Sequence, residues 1–416
     1  MCILYNKGVE RLKKIFWGIN RNVVILGIVS LLTDLSSQMV FPLLPLYITT
    51  VLGGGAIAVG LVEGAAEATA SLLKVFSGYW SDKINKRKPF VFFGYTLSTL
   101  MKPVLAFAGN WFAVLLIRIG DRVGKGLRDA PRDAIIAESN EQATMGKAYG
   151  FSRALDGLGS VGGAVLAFLL LPVFGFINLF KLAIVPGLIS VAVISFVKEP
   201  EKIKKVGEKI SLKIGFSQLT KELKIFIAIA TIFTLGNYNY AFLMLRAKAG
   251  GLNDEKTIML YALFYLVYTT LSMRAGSLSD KIGRKPIILT GYIVFTVLSL
   301  GLCFFGGVIY TTISFILFGI FFALIDGTQR AFVSDLAPAE IKGTALGTFH
   351  TFTGLAALPA GYIAGMLWSG IGSNATFIFG TAMGVISILA FSLILNHLKP
   401  LGNKSRTVGS KLQSNF

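Results

Sequence analysis

Five charged side chains, Arg118, Arg122, Lys125, Asp129 and Arg132, interrupt an otherwise apolar stretch at spacings of four, three, four and three residues. At about 100° per residue these spacings stack along one side of a helix, with Asp121 beside the stripe. An ionisable group at mid-bilayer costs roughly 2.5–3.5 kcal/mol on insertion scales, so each needs a partner or a task. Two chemistries suit the stripe. A deep net-positive face attracts an anion or works with carboxylates that carry protons; alternatively the charges form a structural ion-pair ladder between helices. The ladder fits Asp129, Arg132 and Asp133 at one end. The pathway reading fits Arg118 and Arg122 nearer the middle, with Lys125 extending their face.

Other apolar stretches supply further polar groups. Asp34 and Gln38 lie one turn apart, Glu63 and Glu67 share a face on which Lys74 falls two turns later, and Arg153 precedes Asp156 by three. A buried carboxylate exchanges protons near neutrality when its pKa is raised, so Asp34, Glu63, Glu67, Asp121 and Asp156 are candidate proton sites or permanently paired acids. Farther on, Asp326 and Arg330 are four apart and suited to each other, and His350 is either a titrating or a structural histidine. Asn237-Tyr238-Asn239-Tyr240 offers donors, acceptors and aromatic faces; Asn237 and Tyr240 are the expected ligand-facing pair.

The elements that must hold these groups are membrane helices. Of 416 residues 54% are hydrophobic and only 15% charged, against about a quarter charged in soluble proteins. The net charge of +19 sits in short clusters between apolar runs rather than on one face, which excludes nucleic acid as a partner. Two cysteines imply no disulfide framework, and no cofactor or metal site is expected. Spans are expected at about 22–49, 56–80, 89–108, 111–136, 145–172, 178–197, 225–249, 256–279, 286–306, 309–335, 343–369 and 374–397. Lys and Arg cluster in the N-terminal tail, after the second span, in 198–224, after the eighth span and after the last. The positive-inside bias therefore puts both termini and the central segment in the cytoplasm of a multi-pass inner-membrane protein. Arg246, Lys248 and Lys256 are a local exception.

The segment beginning at Gly78 (GYWSDKINKRKPFVFFGY) returns at Gly276 as GSLSDKIGRKPIILTGY, each between the second and third span of its half. A duplicated six-helix unit explains this. The expected organisation is a tail (1–21), a six-helix bundle (22–197), a linker (198–224), a second bundle (225–398) and a C-terminal tail (399–416). Asp82 and Asp280 end their helices within reach of basic groups, Gly283 supplies the turn that Asn85 makes in the first copy, and Gly78 and Gly276 permit close helix approach.

These loops resemble the major facilitator superfamily hallmark, G-x-x-x-D-[RK]-x-G-[RK]-[RK]. The second copy matches through Gly276, Asp280, Lys281, Gly283, Arg284 and Lys285, and the first departs at Asn85. Arg122-Val-Gly-Lys-Gly resembles the family's R-x-x-Q-G element, whose arginine is associated with proton transfer in proton-coupled members. The Gly-Pro pattern of many antiporters is absent, with Gly159-Ser160-Val161-Gly162-Gly163 in its place. The resemblance covers about residues 20–398 and is similar to a prokaryotic subgroup of mostly unassigned substrate. It implies an all-α fold of twelve transmembrane helices in two pseudo-symmetric bundles. It also implies a cytoplasmic gate around Gly78, Asp82, Lys83, Arg87, Gly276, Asp280, Lys281, Gly283 and Arg284.

Nothing in the chain offers a phosphate loop, an HExxH, a nucleophile elbow or paired CxxC motifs, so enzymatic chemistry is not expected. The expected function is secondary transport of a small organic solute by alternating access. Coupling to protons is expected, with a partly basic cavity suited to a carboxylate or siderophore and a monomeric state. Alternatives are an exporter of drugs or lipid-like amphiphiles and a transporter-shaped ligand sensor.

Overall fold

The computed structural model describes residues 20–84, 86–139, 145–199, 219–338 and 341–394, and every regular element among them is helical. In chain order these are α1 (Arg21–Gln38), α2 (Ala56–Ile84), α3 (Lys88–Val104), α4 (Trp111–Glu138), α5 (Met145–Leu182), α6 (Ile184–Ile194) and α7 (Lys221–Gly236). They continue as α8 (Tyr240–Ala249), α9 (Asp254–Ile282), α10 (Arg284–Phe304), α11 (Gly307–Leu336), α12 (Lys342–Gly370) and α13 (Ser373–Ile394). Capping residues fix several of the starts. The side chains of Asn20, Asn110, Thr220, Asn239 and Asn253 each accept a hydrogen bond from a backbone N–H of the first turn.

Nine stretches among the described residues are long and apolar enough to cross a membrane. One, Ala148–Ile194, runs 47 residues and leaves helical geometry at Gly175 (φ 66°), so it supplies two crossings. Trp111–Glu138 and Lys342–Gly370 complete twelve. The first escapes a purely compositional criterion because of its charges, the second because it is rich in Gly and Thr.

Two spans are broken at corresponding places in the halves. After α1 the chain passes Pro42 and Pro45, which lack a backbone N–H, through short turns over Phe41–Leu43, Leu44–Leu46 and Tyr47–Val51. In the seventh span the helix stops at Gly236 and restarts at Tyr240, a break within the continuous 225–249 helix that hydropathy suggests. Asn237, Tyr238 and Asn239 form the break because Asn239 caps α8 with its own side chain. Both irregular stretches are largely buried, 39–48 throughout and Tyr238 within the second.

The halves meet along α2 with α12 and along α5 with α9. Both seams are lined by glycine: a Cβ on Gly60 would stand 2.0 Å from the Gly361 carbonyl oxygen, and one on Gly365 2.5 Å from Ile57 Cα. A Cβ on Gly157 would meet the Thr269 side chain at 2.2 Å. The first seam loosens toward the side that carries the α2–α3 and α9–α10 loops, called here the linker side. At Gly347 the nearest atom is 3.5 Å from an added Cβ, and at Gly343 nothing lies within 4 Å. Residues 36–48 and 241–245, by contrast, are buried throughout. The molecule is thus closed on the side opposite the linker and splayed on the linker side.

Candidate functional site

Arg118 is the most deeply set charge of α4, 1% exposed. It reaches Glu63 of α2 at 3.3 Å and Asp121 one turn on at 3.3 Å, and its guanidinium lies 3.6 Å from the centre of the Phe41 ring. Arg122 stacks on the same ring at 4.8 Å and approaches Asp121 at 3.8 Å. Asp121 also accepts a 2.5 Å hydrogen bond from Ser98 of α3. These groups compensate one another, as buried charges must. Arg118 pairs within this network, although its Nε and that of Arg122 are buried and unpartnered, and it is absent from the cavity wall, whereas its position in the stripe pointed to the pathway.

The cavity opens beside it, with a volume of about 80 Å³. Asp34, Ser37, Gln38 and Phe41 line it from the first span, Ser98 from α3, and Asp121, Arg122, Lys125 and Arg128 from α4. Tyr240 of α8 and Tyr261 and Tyr265 of α9 face them from the other half. Lys125 has no hydrogen-bond or ion-pair partner among the described residues, and neither has Asp129, one turn further along the stripe. Arg128 lies over the Tyr95 ring at 4.4 Å and leaves Nη1 buried and unpartnered, and the Tyr240 hydroxyl is buried and unpartnered too. Asp34 has no Lys or Arg nitrogen within 4.0 Å among the described residues. The wall therefore holds three cations against two carboxylates, one of which, Asp121, is already engaged.

Three side-chain hydrogen bonds cross between the halves among the described residues, all in this layer. Gln38 donates to Tyr265 at 2.9 Å and accepts from Tyr261 at 2.7 Å, and Asn239 donates to Glu63 at 3.4 Å.

Other expected site residues are divided between the cavity and its surroundings. Glu67, one turn from buried Glu63, is exposed on the linker side, as is Arg153. Asp156 pairs with Arg153 at 3.4 Å and with Arg132 at 3.8 Å. Asp326 pairs with Arg330 and accepts from Tyr268, so the two are partners as their spacing suggested. His350 packs on Phe349 away from the cavity. Of the two Asn-Tyr pairs only Tyr240 lines the cavity. Tyr238 turns into its own half, 2.8 Å from Ser299, and Asn237 leaves its side-chain oxygen buried and unpartnered. The reason is the helix break, which rotates the two tyrosines apart.

The repeated loops agree at atomic level. Arg87 joins Asp82 at 2.6 Å to Glu138, the last residue of α4, also at 2.6 Å. Arg284 joins Asp280 at 2.5 Å to Asp335 near the end of α11 at 3.2 Å. Burial works against the Arg87 charge, but the Glu138 hydrogen bond and the Asp82 and Glu138 charges raise its pKa above the ordinary value. Glu199 caps the start of α3 through the N–H groups of Arg87 and Lys88. Lys83 lies 5.9 Å from the Tyr79 ring centre. Each cluster ties helices of its own half, so in this splayed conformation it spans no gap between halves. Gly283 takes φ 97°, a value glycine tolerates. The expected close helix approach is missing at Gly276, where nothing lies within 4 Å of an added Cβ, and ordinary at Gly78, 3.4 Å from Ala130. Asn85 lies outside the described residues, as do most of 198–224 and both tails.

Several residues of the site escape a reading by charge spacing. Arg128 sits at the edge of the stripe, and Phe41, Ser98, Tyr261 and Tyr265 carry no sequence mark beyond the four-residue spacing of the two tyrosines. Lys102 is fully buried in α3, donating to Ser36 at 2.9 Å. A lysine within an apolar span was the available signal.

Two pseudo-symmetric sets of six membrane helices around a charged central cavity define a multi-pass membrane transporter. The chain belongs to the major facilitator superfamily, whose description matches residues 26–250 and 225–414. Members carry small molecules across membranes and are not enzymes. The chain is 42% identical to an uncharacterised MFS-type transporter of Methanocaldococcus jannaschii over 90% of its own length and 95% of the relative's. Its fold is similar to the crystal structure of the nucleoside transporter NupG (TM-score 0.77, 14% identity, 90% of this chain and 100% of that one). It is also similar to a D-xylose-proton symporter (TM-score 0.69, 15% identity, 89% and 96%).

Proposed function

We propose that the protein moves a small organic anion, carboxylate in class, by alternating access, with a proton as the coupling ion. The observation that carries this reading is the cavity wall: Arg122, Lys125 and Arg128 from one helix, with no hydrogen-bond or ion-pair partner for Lys125 among the described residues and one Arg128 nitrogen buried and unpartnered. A cation without a partner at that depth is costly, and a carboxylate supplies the missing acceptors. The volume of about 80 Å³ favours a compact solute over a siderophore, and the polar wall disfavours lipid-like amphiphiles. Proton coupling draws support from Asp34, a carboxylate on the cavity wall with no Lys or Arg nitrogen within 4.0 Å among the described residues. In this reading the protein is a monomer in the inner membrane, its halves 22–197 and 225–398 rock against each other, and its linker side is cytoplasmic.

The test is carboxylate uptake into proteoliposomes. Lys125→Gln and Arg128→Gln are each expected to lower carboxylate flux at least about tenfold, with melting temperature close to wild type. Undiminished flux in both variants sinks the anion reading.

A further inference from the structure

Several buried charges near the centre of this molecule follow one rule and close on partners of opposite sign. Arg118 meets Glu63 and Asp121, Arg132 meets Asp133 at 3.1 Å, and Arg330 meets Asp326. Asp34 does not follow the rule. It lines the same cavity as Lys125 and Arg128 and lies within electrostatic reach of both, yet among the described residues no Lys or Arg nitrogen comes within 4.0 Å of it. Of the other charges that act on it, Asp156 and Arg132 stand 3.8 Å from each other, and the fully buried Lys102 of α3 donates to Ser36. Opposite charges that face one void without contact are held apart by their helices, α1 and α4, and the void lies between them.

We infer that the cavity takes a small zwitterion, its carboxylate held by Lys125 and Arg128 and its ammonium by Asp34. The inference rests on the anion-carrier reading above and adds the second charge. If Asp34 served only to neutralise α4, the attraction of Lys125 or Arg128 would close the gap. A carboxylate alone would leave Asp34, on the same wall, without a partner. A zwitterion satisfies both walls at once and introduces no net charge into the membrane. Tyr265, on the wall beside these groups, adds an aromatic ring of the kind that accommodates ammonium groups. A cavity of about 80 Å³ holds a few heavy atoms, the size of a short amino acid.

The experiment is calorimetric titration of the purified protein in detergent with four probes. L-Alanine and 4-aminobutyrate carry their charges nearer together and farther apart; propionate and butyrate are their counterparts without the ammonium. At least one zwitterion is expected to bind roughly tenfold tighter than its counterpart, and Asp34→Asn to erase that advantage. Equal or tighter binding of the plain carboxylates overturns the zwitterion and leaves the anion reading standing. A zwitterion preference that survives Asp34→Asn overturns the role of Asp34. If none of the four binds, both readings fail. Melting curves of the variant, taken alongside, separate lost recognition from lost folding.

Discussion

Arg118 illustrates how a residue conspicuous in sequence can be engaged by neighbours that sequence does not reveal. Its spacing placed it correctly on the charged face of α4, but the ring of Phe41 and the carboxylates of Glu63 and Asp121 absorb its charge. Removing it strands two buried acids. Arg118→Gln is expected to cost about 3–5 kcal/mol, and adding Glu63→Gln to recover part of that, because an unpaired buried charge costs more than a missing pair. Thermal unfolding in detergent reads both; a single variant as stable as the wild type would refute the network. The stripe itself was legible because helical spacing is a local property. Arg128, Lys102 and the cavity tyrosines were not, since their importance depends on which neighbours leave them unpartnered. Asp326 and Arg330 were legible because four-residue pairs need no tertiary information.

At the scale of elements, span count and loop motif could be read from hydropathy and repetition, while the broken seventh span could not. An apolar window averages over Asn237–Asn239, and only the capping geometry of Asn239 reveals that the helix restarts there. The α2–α12 seam likewise needed the structure: glycines at Gly60, Gly64 and Gly354, Gly361 and Gly365 are scattered along two distant stretches until packing aligns them. Gly60→Ala would set a methyl group 2.0 Å from a backbone carbonyl oxygen that no side-chain rotation can move. The helices must separate on the side opposite the linker. Accessibility of Ile57→Cys to a membrane-impermeant maleimide applied from that side is therefore expected to rise several-fold in the Gly60→Ala background. Unchanged labelling would mean that the seam yields elsewhere.

Across the whole molecule, the matched arginine clusters at Arg87 and Arg284 bind each half internally, which suits two bodies that move without deforming. If the basic loops mark the cytoplasm, cysteines placed in the two tails, in 198–224 and at Lys86 or Lys281 will label only from that face in oriented vesicles. Labelling of the two tails from opposite faces would contradict this topology. The glycine seam has a further consequence. In the rocking motion proposed above, backbone would slide on backbone with no rotamers to unlock, so the seam would act as a bearing and not as a latch. The latch would be small: among the described residues, three hydrogen bonds, from Gln38 to two tyrosines and from Asn239 to Glu63. At a net worth of about 0.5–1.5 kcal/mol each, they hold a gap that the differential affinity of one bound solute can open or keep shut. Traffic through such a carrier is then governed by its passenger more than by friction in its frame.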